Sequence, residues 1–198
     1  KHILNRNMLK IKLFLLLTIF FFTGVLQAQW QPDFRLTNDP AESITSFNNA
    51  WCIASSGDVV HVVWYDQRDG NDEIYYKRST EDGANWEADT RLTNQNGWSQ
   101  YPAVSVSGSV VHVVWMDDRD GNEEIYYKRS TDEGISWGDD TRLTNAASNS
   151  YNPSVSVSGP VVHVVWHDYR NGGNPEIYFK RSMDGGVNWG ADTRLTNN

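Results

Sequence analysis

The sequence predicts an all-β protein made of three repeats, each with the four short strands of a β-propeller blade. The segment "VVHVVW" occurs three times at an interval of 51 residues, and a period near 50 is typical of propeller blades. The chain also contains nine Trp, nine Tyr and fifteen Gly, and aromatic residues and glycines at regular spacing favour a repetitive β structure. None of the three repeats shows the periodicity of a helix.

The middle repeat shows the strand order most clearly. Residues 102–108 ("PAVSVSG") alternate as a half-buried strand does, and residues 110–117 ("VVHVVWMD") form the continuous apolar run of a strand covered on both faces. A turn with Gly121 at its tip leads to a third, aromatic-rich strand over residues 124–130. The segment "DTRLTN" at residues 140–145 ends the fourth strand.

The segment "RLTN" occurs four times, once before the three repeats and once at the end of each of them. Its copies begin at Arg35, Arg91, Arg142 and Arg194. We therefore expect an extra front strand, equivalent to the fourth strand of a blade, followed by three whole repeats. The predicted blades cover about residues 46–94, 95–145 and 146–198.

Three blades do not close a propeller ring, and the chain starts with Lys1 rather than with Met. Two interpretations remain open. In the first, the chain is a fragment of a longer reading frame that starts at Met8. In the second, it is a short protein that closes a ring by forming an oligomer.

The first 28 residues have the pattern of a secretory signal peptide. Four basic residues precede an apolar run over residues 13–22, and Ala28 is a small residue at the expected cleavage site. The run is short for a membrane-spanning helix, so cleavage after Ala28 is favoured over a membrane anchor. We expect residues 29–198 to be secreted or displayed at the cell surface, with membrane contact only through the signal segment before cleavage.

Charge and cysteine content narrow the possible functions. The formal net charge is −8, and removal of the four basic residues of the signal segment makes it −12, so nucleic acid is not an expected partner. Cys52 is the one cysteine, so no disulfide can form within the chain. It aligns with Ala103 and Ser154, which indicates a buried small side chain rather than a nucleophile.

A Ser-x-Asp-x-Gly-x-x-Trp motif joins the third and fourth strands of every repeat, and we call this element the SDGW turn. Ser130 and Asp132 are expected to fold their oxygens onto turn amides, and Gly134 to adopt a positive φ that other residues resist. Trp137 is expected to bury its ring between neighbouring blades. The residues of the three copies are Ser79, Glu81, Gly83, Trp86, Ser130, Asp132, Gly134, Trp137, Ser182, Asp184, Gly186 and Trp189.

The SDGW turn is similar to the Asp box of the bacterial neuraminidase repeat, which occurs in sialidases and related β-propellers. The second and third copies match it fully, whereas the first has Glu81 at the Asp position, so either that turn is looser or Asp82 substitutes. Three copies in phase with a four-strand pattern imply a partial β-propeller of sialidase type, with about three four-stranded blades plus one extra strand. Propellers host many functions, so the resemblance implies a fold more than a chemistry.

The resemblance also implies where a sialidase would keep its catalytic residues. Enzymes of that family hold the substrate carboxylate with three arginines, use an aspartate as acid/base, and use a tyrosine helped by a glutamate as nucleophile. Arg35 lies where the first arginine is expected, but it recurs in every repeat and the Pro of the family's Arg-Ile-Pro segment is missing. The Glu–Tyr pairs recur in register as well. We therefore assign no catalytic residue and expect no cofactor.

A second motif, Trp-x-Asp-x-Arg, follows the second strand of each repeat, at the end of the blade opposite to the SDGW turn. In sialidase-like propellers this end is the ligand face, so its charged residues are candidates for ligand binding, with the preceding tryptophans as stacking surfaces. The alternative is a local Asp–Arg pair that fixes the turn and contributes little when exposed. The candidates are Asp66, Arg68, Asp117, Arg119, Asp168 and Arg170.

Metal sites are not favoured by the sequence. His61, His112 and His163 align across the repeats, but each lies in a valine-rich strand, where a buried and hydrogen-bonded histidine is commoner than a metal ligand. The turns "DRDGNDE" and "DRDGNEE" are acidic enough for calcium, but each contains an arginine and the third copy loses its acids. We expect no bound metal.

These observations favour an exported, repeat-built β-propeller module without catalytic activity. Its expected partners are glycans or cell-surface glycoproteins. The alternative is a fragment of an exo-α-sialidase, or of a related glycoside hydrolase, whose catalytic residues lie in other blades.

Overall fold

The computed structural model describes residues 32–46 and 51–197 of the chain. Residue contacts divide the chain into two units, Lys1–Phe34 and Arg35–Asn198. In the first unit, residues 32–34 form no helix or strand, and the predicted signal peptide and its cleavage site lie outside the described residues. Among the residues that are described, no helix is long and apolar enough to span a membrane.

The described residues of the second unit form three antiparallel β-sheets, which confirms the predicted all-β fold with about three four-stranded blades. The first blade contains β1 (Ser43–Ile44), β2 (Ile53–Ser56), β3 (Val59–Asp66), β4 (Glu73–Ser79) and β5 (Thr90–Arg91). The second contains β6 (Ser99–Ser107), β7 (Val110–Asp117), β8 (Glu124–Ser130) and β9 (Thr141–Arg142). The third contains β10 (Ser150–Ser158), β11 (Val161–Asp168), β12 (Glu176–Ser182) and β13 (Thr193–Arg194).

The first strand of each blade pairs with the second in the same register. Ser99 lies opposite Asp117 in the second blade, as Ser43 lies opposite Asp66 in the first. In the first blade this strand is divided, because β1 and β2 both pair with β3 and residues 45–52 separate them. The second and third blades instead have a continuous first strand with a bulge near its start.

The second strand of the middle blade is buried on both faces. In β7, Val111, Val113 and Trp115 pack against the first blade, whereas Val114 packs against the third. A strand with a blade on either side needs apolar residues at successive positions, because neither face reaches water. This packing explains the continuous apolar run in the sequence.

The SDGW turn forms the junction between successive blades. In the second blade the Ser130 hydroxyl oxygen accepts a hydrogen bond from the amide of Gly134 at 2.8 Å. Gly134 has φ +85°, and a Cβ placed there would lie 1.9 Å from the hydroxyl oxygen of Tyr76 in the first blade. Trp137 packs edge-on against the same tyrosine, with 4.9 Å between ring centroids. Glycine is therefore needed both for the backbone conformation and for the close approach of Tyr76.

The first SDGW turn keeps the hydrogen bonds from its backbone amides to the serine although Glu81 replaces the aspartate. Ser79 Oγ accepts the amide of Gly83 at 2.9 Å, as its counterparts do in the other copies. Glu81 accepts from the side chain of Asn85 at 2.7 Å, whereas Asp132 accepts from the backbone amide of Ser136 at 2.9 Å. The longer side chain thus reaches past the turn backbone to a neighbouring side chain.

A lysine links each blade to the "RLTN" segment before it. Lys128 in the second blade donates to the backbone oxygen of Leu92 in the first, and Lys77 donates in the same way to Leu36 at 2.7 Å. The front copy of "RLTN" therefore occupies the place that the end of a preceding blade would take. It differs from the prediction in forming no regular strand, because no described strand lies beside it to complete a sheet.

A histidine is buried at each of the two junctions between described blades. His61 Nδ1 lies 2.7 Å from the Tyr76 hydroxyl oxygen, and His112 Nδ1 lies 2.7 Å from that of Tyr127. Burial, together with the nearby positive charge of Arg78 for His61 and of Arg129 for His112, lowers the pKa of each histidine to about 4.

We expect Gly134→Ala to destabilise the protein more than Gly83→Ala does. Both alanines adopt an unfavourable positive φ, which costs about 1–2 kcal/mol. Only the methyl group at Gly134 collides with Tyr76, whereas the methyl group at Gly83 meets nothing closer than 3.6 Å. The collision adds about 1–3 kcal/mol. Urea unfolding of both variants measures the difference, and equal losses of stability would contradict the described junction.

We expect the free energy of unfolding to decrease as the pH falls from about 6.5 to about 4. Over this range the unfolded histidines bind protons, while His61 and His112 stay neutral in the folded protein. The unfolded state then binds more protons, so acid favours it. The effect is on the order of 3 kcal/mol per histidine. Urea unfolding at several pH values measures it, and His112→Asn should make the dependence shallower; an unchanged slope would contradict the assignment.

Candidate functional site

Each blade has two ends of different character. The SDGW turns follow the third strand at one end, and the Trp-x-Asp-x-Arg motifs follow the second strand at the other, because neighbouring strands run antiparallel. We call the latter the charged-turn end. All six predicted ligand-binding residues lie at this end.

The aspartate of the motif is buried and fully hydrogen-bonded. The Asp117 carboxylate accepts from Ser99 Oγ and Trp115 Nε1, each at 2.8 Å, and from Arg119 Nε at 2.7 Å. Its side chain is 1% exposed. A buried carboxylate is tolerated only with such partners, so Asp117 joins the first strand, the second strand and the turn of its blade.

The first and third blades repeat this arrangement. Asp66 accepts from Ser43 Oγ and Trp64 Nε1, and Asp168 from Ser150 Oγ and Trp166 Nε1. Burial by itself would raise the pKa of Asp66. Hydrogen bonds from Arg68, Ser43 and Trp64 outweigh it and hold that pKa at about 2, so the carboxylate stays ionised at physiological pH.

The arginine of the motif contacts two carboxylates and an aromatic ring. Arg119 Nη1 lies 2.7 Å from Asp140 Oδ2, and the other oxygen of Asp140 lies 2.9 Å from Lys128 Nζ. The guanidinium group also lies over the ring of Tyr126, 4.4 Å from its centroid. The Arg119 side chain is 14% exposed, and Arg68 and Arg170 have equivalent partners.

The six predicted residues therefore form local Asp–Arg pairs, and the aspartates are not exposed as a ligand-binding ring requires. The tryptophans before them were predicted as stacking surfaces, and that prediction is wrong. Trp64, Trp115 and Trp166 are at most 2% exposed. The rings of Trp115 and Trp166 pack between blades, and Trp64 lies in a cluster with Leu36 and Trp86. Ligand contact by the partly exposed arginine edges stays a prediction.

The repeated glutamate and tyrosine are engaged as well. Glu73 accepts from Arg91 at 2.7 Å, and the Tyr75 hydroxyl donates to Asp69. Burial and the neighbouring Asp69 raise the pKa of Tyr75, which opposes the ionised tyrosine that a nucleophile needs. Arg142 and Arg194 make the same glutamate contact, so the "RLTN" arginines of the three blades are ion-pair partners within a sheet.

No group of three metal-ligating side chains is found in the part of the chain that the structure describes. His61 and His112 contact tyrosines, and His163 stacks on Phe179 with 5.6 Å between ring centroids. In the turns considered for calcium, Asp69 and Asp120 are paired with the "RLTN" arginines.

Two exposed aromatic residues at the charged-turn end were missed by the sequence reasoning. Trp98 is 58% exposed and Tyr169 is 37% exposed. Trp98 directly precedes the first strand of the second blade, a position held by Asn149 in the third blade. Tyr169 lies in the charged turn of the third blade, where the second blade has Asp118. The signal was available, since both are aromatic residues outside the repeated pattern.

Backbone hydrogen bonds hold both residues in place. The Trp98 amide donates to Asp118 Oδ1 at 2.6 Å, and the Tyr169 amide donates to the Asn149 carbonyl oxygen at 3.1 Å. Tyr169 also packs edge-on against Tyr151, with 5.7 Å between ring centroids. This pair lines an open groove of about 530 Å³. The backbone that carries each aromatic ring is thus hydrogen-bonded to another segment of its own blade.

A second concavity of about 300 Å³ is lined by residues of all three blades. Trp51 of the first blade, Tyr101 of the second and His167 of the third contribute to its wall. Trp51 is 41% exposed. Aromatic side chains from all three blades therefore contribute to surfaces near the charged-turn end.

We expect Asp117→Ala to destabilise the fold by about 3–5 kcal/mol, because it leaves the charge of Arg119 buried beside unsatisfied donors. This loss of stability is much larger than the loss expected if the Asp–Arg pair were exposed. Asp139→Ala is the control, since Asp139 is exposed and its loss should change the free energy of unfolding by less than about 0.5 kcal/mol. Urea unfolding measures both, and similar values for the two variants would contradict a structural role for Asp117.

No protein-family model and no curated protein sequence matches the chain. Solved structures match its fold. A mutant of Trypanosoma rangeli sialidase displaying trans-sialidase activity shares 16% identity at a TM-score of 0.57, over 78% of this chain and 34% of that chain. Trypanosoma rangeli sialidase in complex with the inhibitor DANA shares 16% identity at a TM-score of 0.54, over 74% of this chain and 30% of that chain. Penicillium chrysogenum alpha-L-arabinanase complexed with arabinobiose shares 14% identity at a TM-score of 0.50, over 78% of this chain and 49% of that chain.

The chain spans about a third of the sialidase chains and about half of the arabinanase chain. A structural match at such low sequence identity shows the fold of the blades but not the chemistry of the protein. The chain has the fold of a partial sialidase-type β-propeller.

Proposed function

We propose that the chain is an exported, non-catalytic β-propeller module that binds glycans at its charged-turn end. One contrast between two sets of side chains carries the proposal. The charged side chains that repeat in every blade are engaged inside the blades, whereas Trp98 and Tyr169 differ from blade to blade and are exposed. Exposed residues that depart from a repeated scaffold are the expected place for binding.

Aromatic side chains suit a glycan ligand for a physical reason. A flat ring offers apolar surface to the C–H face of a sugar, and the groove beside Tyr169 has polar edges in Ser148 and Asn149. The net charge of −8 disfavours polyanions. Weak contacts on separate blades add through effective concentration when a glycan or glycoprotein presents several copies.

The structural neighbours give limited support to a sugar ligand. Trypanosoma rangeli sialidase was solved in complex with sialic acid, and the arabinanase with arabinobiose. They also keep open the alternative of a sialidase-type hydrolase fragment. In the described residues, however, each of the three repeated glutamates of the Glu–Tyr pairs is bound to an arginine.

Binding should be measured on a glycan array with the purified protein, followed by calorimetry with a glycan that binds. Trp98→Ala and Tyr169→Ala should each weaken binding about tenfold, the effect of losing roughly 1.4 kcal/mol of stacking. Ile135→Ala is the matched control, because Ile135 is 68% exposed on an SDGW turn at the opposite end and its loss should leave affinity unchanged.

A fluorogenic sialoside tests the alternative with the same protein. No turnover is expected, since glycoside hydrolysis needs two carboxyl groups or their equivalents in distinct roles. Turnover abolished by one substitution among Arg35, Arg68, Arg119 or Arg170 would make the protein an enzyme. The proposal would be contradicted if Ile135→Ala abolished binding and Trp98→Ala left it intact, because the site would then lie at the SDGW-turn end.

A further inference from the structure

The exposed residue Trp98 lies beside a carboxylate that takes part in no ion pair with a described residue. The Trp98 amide donates to Asp118 Oδ1 at 2.6 Å, and the Asp118 amide donates to the Trp98 carbonyl oxygen at 3.3 Å. No described residue is hydrogen-bonded to the second carboxylate oxygen of Asp118, Oδ2. An aromatic ring and a carboxylate oxygen that the protein itself does not use are thus held next to each other.

This pair is specific to the second of the three described blades. The position of Asp118 is held by Gln67 in the first blade and by Tyr169 in the third. A residue that the other blades lack is not a general requirement of the blade fold, in contrast to the repeated Asp117 beside it. Trp98 lies between the first and second blades, so its exposure persists with a described blade on either side.

A glycine lets the carboxylate approach the loop that carries Trp98. Gly97 has φ +128°, and a Cβ placed there would lie 2.6 Å from Asp118 Oδ1 and 3.1 Å from the backbone of Arg119. Any other residue would push the loop away from the charged turn. The side chain of Asn71 also donates to the Gly97 carbonyl oxygen. The loop is therefore fixed between two blades, with the Trp98 backbone against Asp118.

The cations of the second blade at this end are already offset by carboxylates. Three cations contact four carboxylates there: Arg119, Lys128 and Arg142 pair with Asp117, Asp120, Glu124 and Asp140. Asp118 adds a further negative charge outside this network. A ligand carboxylate would therefore meet a surplus of negative charge, whereas the exposed edge of Arg119 can still donate a hydrogen bond to an uncharged oxygen.

A second carboxylate without an ion-pair partner among the described residues, Asp72, contacts the residues that follow Trp98. The Asp72 carbonyl oxygen accepts from the Ser99 amide at 2.8 Å, and its carboxylate accepts from the Gln100 side chain. Asp72 is 4% exposed, and its Oδ1 has no hydrogen-bond partner among the described residues. Its position is held by Pro175 in the third blade. Because a buried charge is screened less than an exposed one, Asp72 adds to the negative potential near Trp98.

We propose that the site around Trp98 binds an uncharged sugar residue and excludes sialic acids and other acidic sugars. This inference rests on the glycan binding proposed above for the charged-turn end. The Trp98 ring covers the C–H face of the sugar, and Asp118 Oδ2 accepts a charge-assisted hydrogen bond from a sugar hydroxyl group. The carboxylate of an acidic sugar is repelled by Asp118 and Asp72.

A glycan array that presents each uncharged glycan together with its sialylated form tests the preference on the purified protein. Calorimetry with one such pair should show about tenfold weaker binding of the sialylated form at low salt. Raising the NaCl concentration from about 50 mM to about 500 mM should narrow this difference, because salt screens the charge of the ligand.

The outcomes separate this inference from the proposed function. Equal or tighter binding of the sialylated form would overturn the inference and leave the proposed glycan binding intact, as would a difference that salt does not change. Absence of binding to every glycan on the array would overturn the proposed function, and this inference with it.

Asp118→Asn tests the role of the carboxylate, because asparagine keeps an oxygen for the Trp98 amide and removes the charge. It should weaken binding of the uncharged glycan about fivefold and leave binding of the sialylated form unchanged or tighter. Asp58→Asn is the matched control and should change neither affinity. Asp58 is exposed beside the first SDGW turn, where its carbonyl oxygen accepts from the Asp82 amide at 2.9 Å. If Asp118→Asn weakened both glycans by the same factor, Asp118 would only hold the loop, and the inference would be wrong.

Discussion

The close approach of the second and third SDGW turns to a buried tyrosine of the preceding blade is the constraint on which the arrangement of the blades depends. Gly134 has no side chain, so the Tyr76 hydroxyl can lie where a Cβ would be. Trp137 then packs edge-on against the tyrosine ring, and His61 contacts its hydroxyl from within the first blade. One small residue thus sets the spacing between two sheets, and the same contact recurs at Gly186 in the next junction.

Within each blade, a buried carboxylate plays the corresponding role. Asp117 collects donors from the first strand, the second strand and the charged turn, while Arg119 extends the network to Asp140 at the fourth strand. A charge without these partners would be costly in the interior. The motif therefore binds four strands together at the end where short loops alone would leave them free. This explains why it recurs unchanged in all three blades.

Repetition has a consequence for function. The charged residues that every blade repeats at this end, such as Asp117 and Arg119, are engaged in ion pairs within the blade. Ligand contact by the partly exposed arginines stays a prediction. The proposed binding uses positions that the repeat leaves variable, such as Trp98 and Tyr169, whose backbone amides are hydrogen-bonded. The repeated residues form the frame and the displayed side chains differ between blades, a division also found in other proteins that bind through loops on a sheet scaffold.

The sequence by itself determined the repeat, the strand order and the turn chemistry, because period, alternation and turn glycines are properties of neighbouring residues. The tertiary structure alone decided which side chains reach solvent. Trp115 and Trp98 are both tryptophans near the charged-turn end, yet one is buried between blades and the other is 58% exposed. The charges of Arg68 and Asp89 meet across the sheet although 21 residues separate them. Such contacts depend on how sheets pack against each other, which no local pattern encodes.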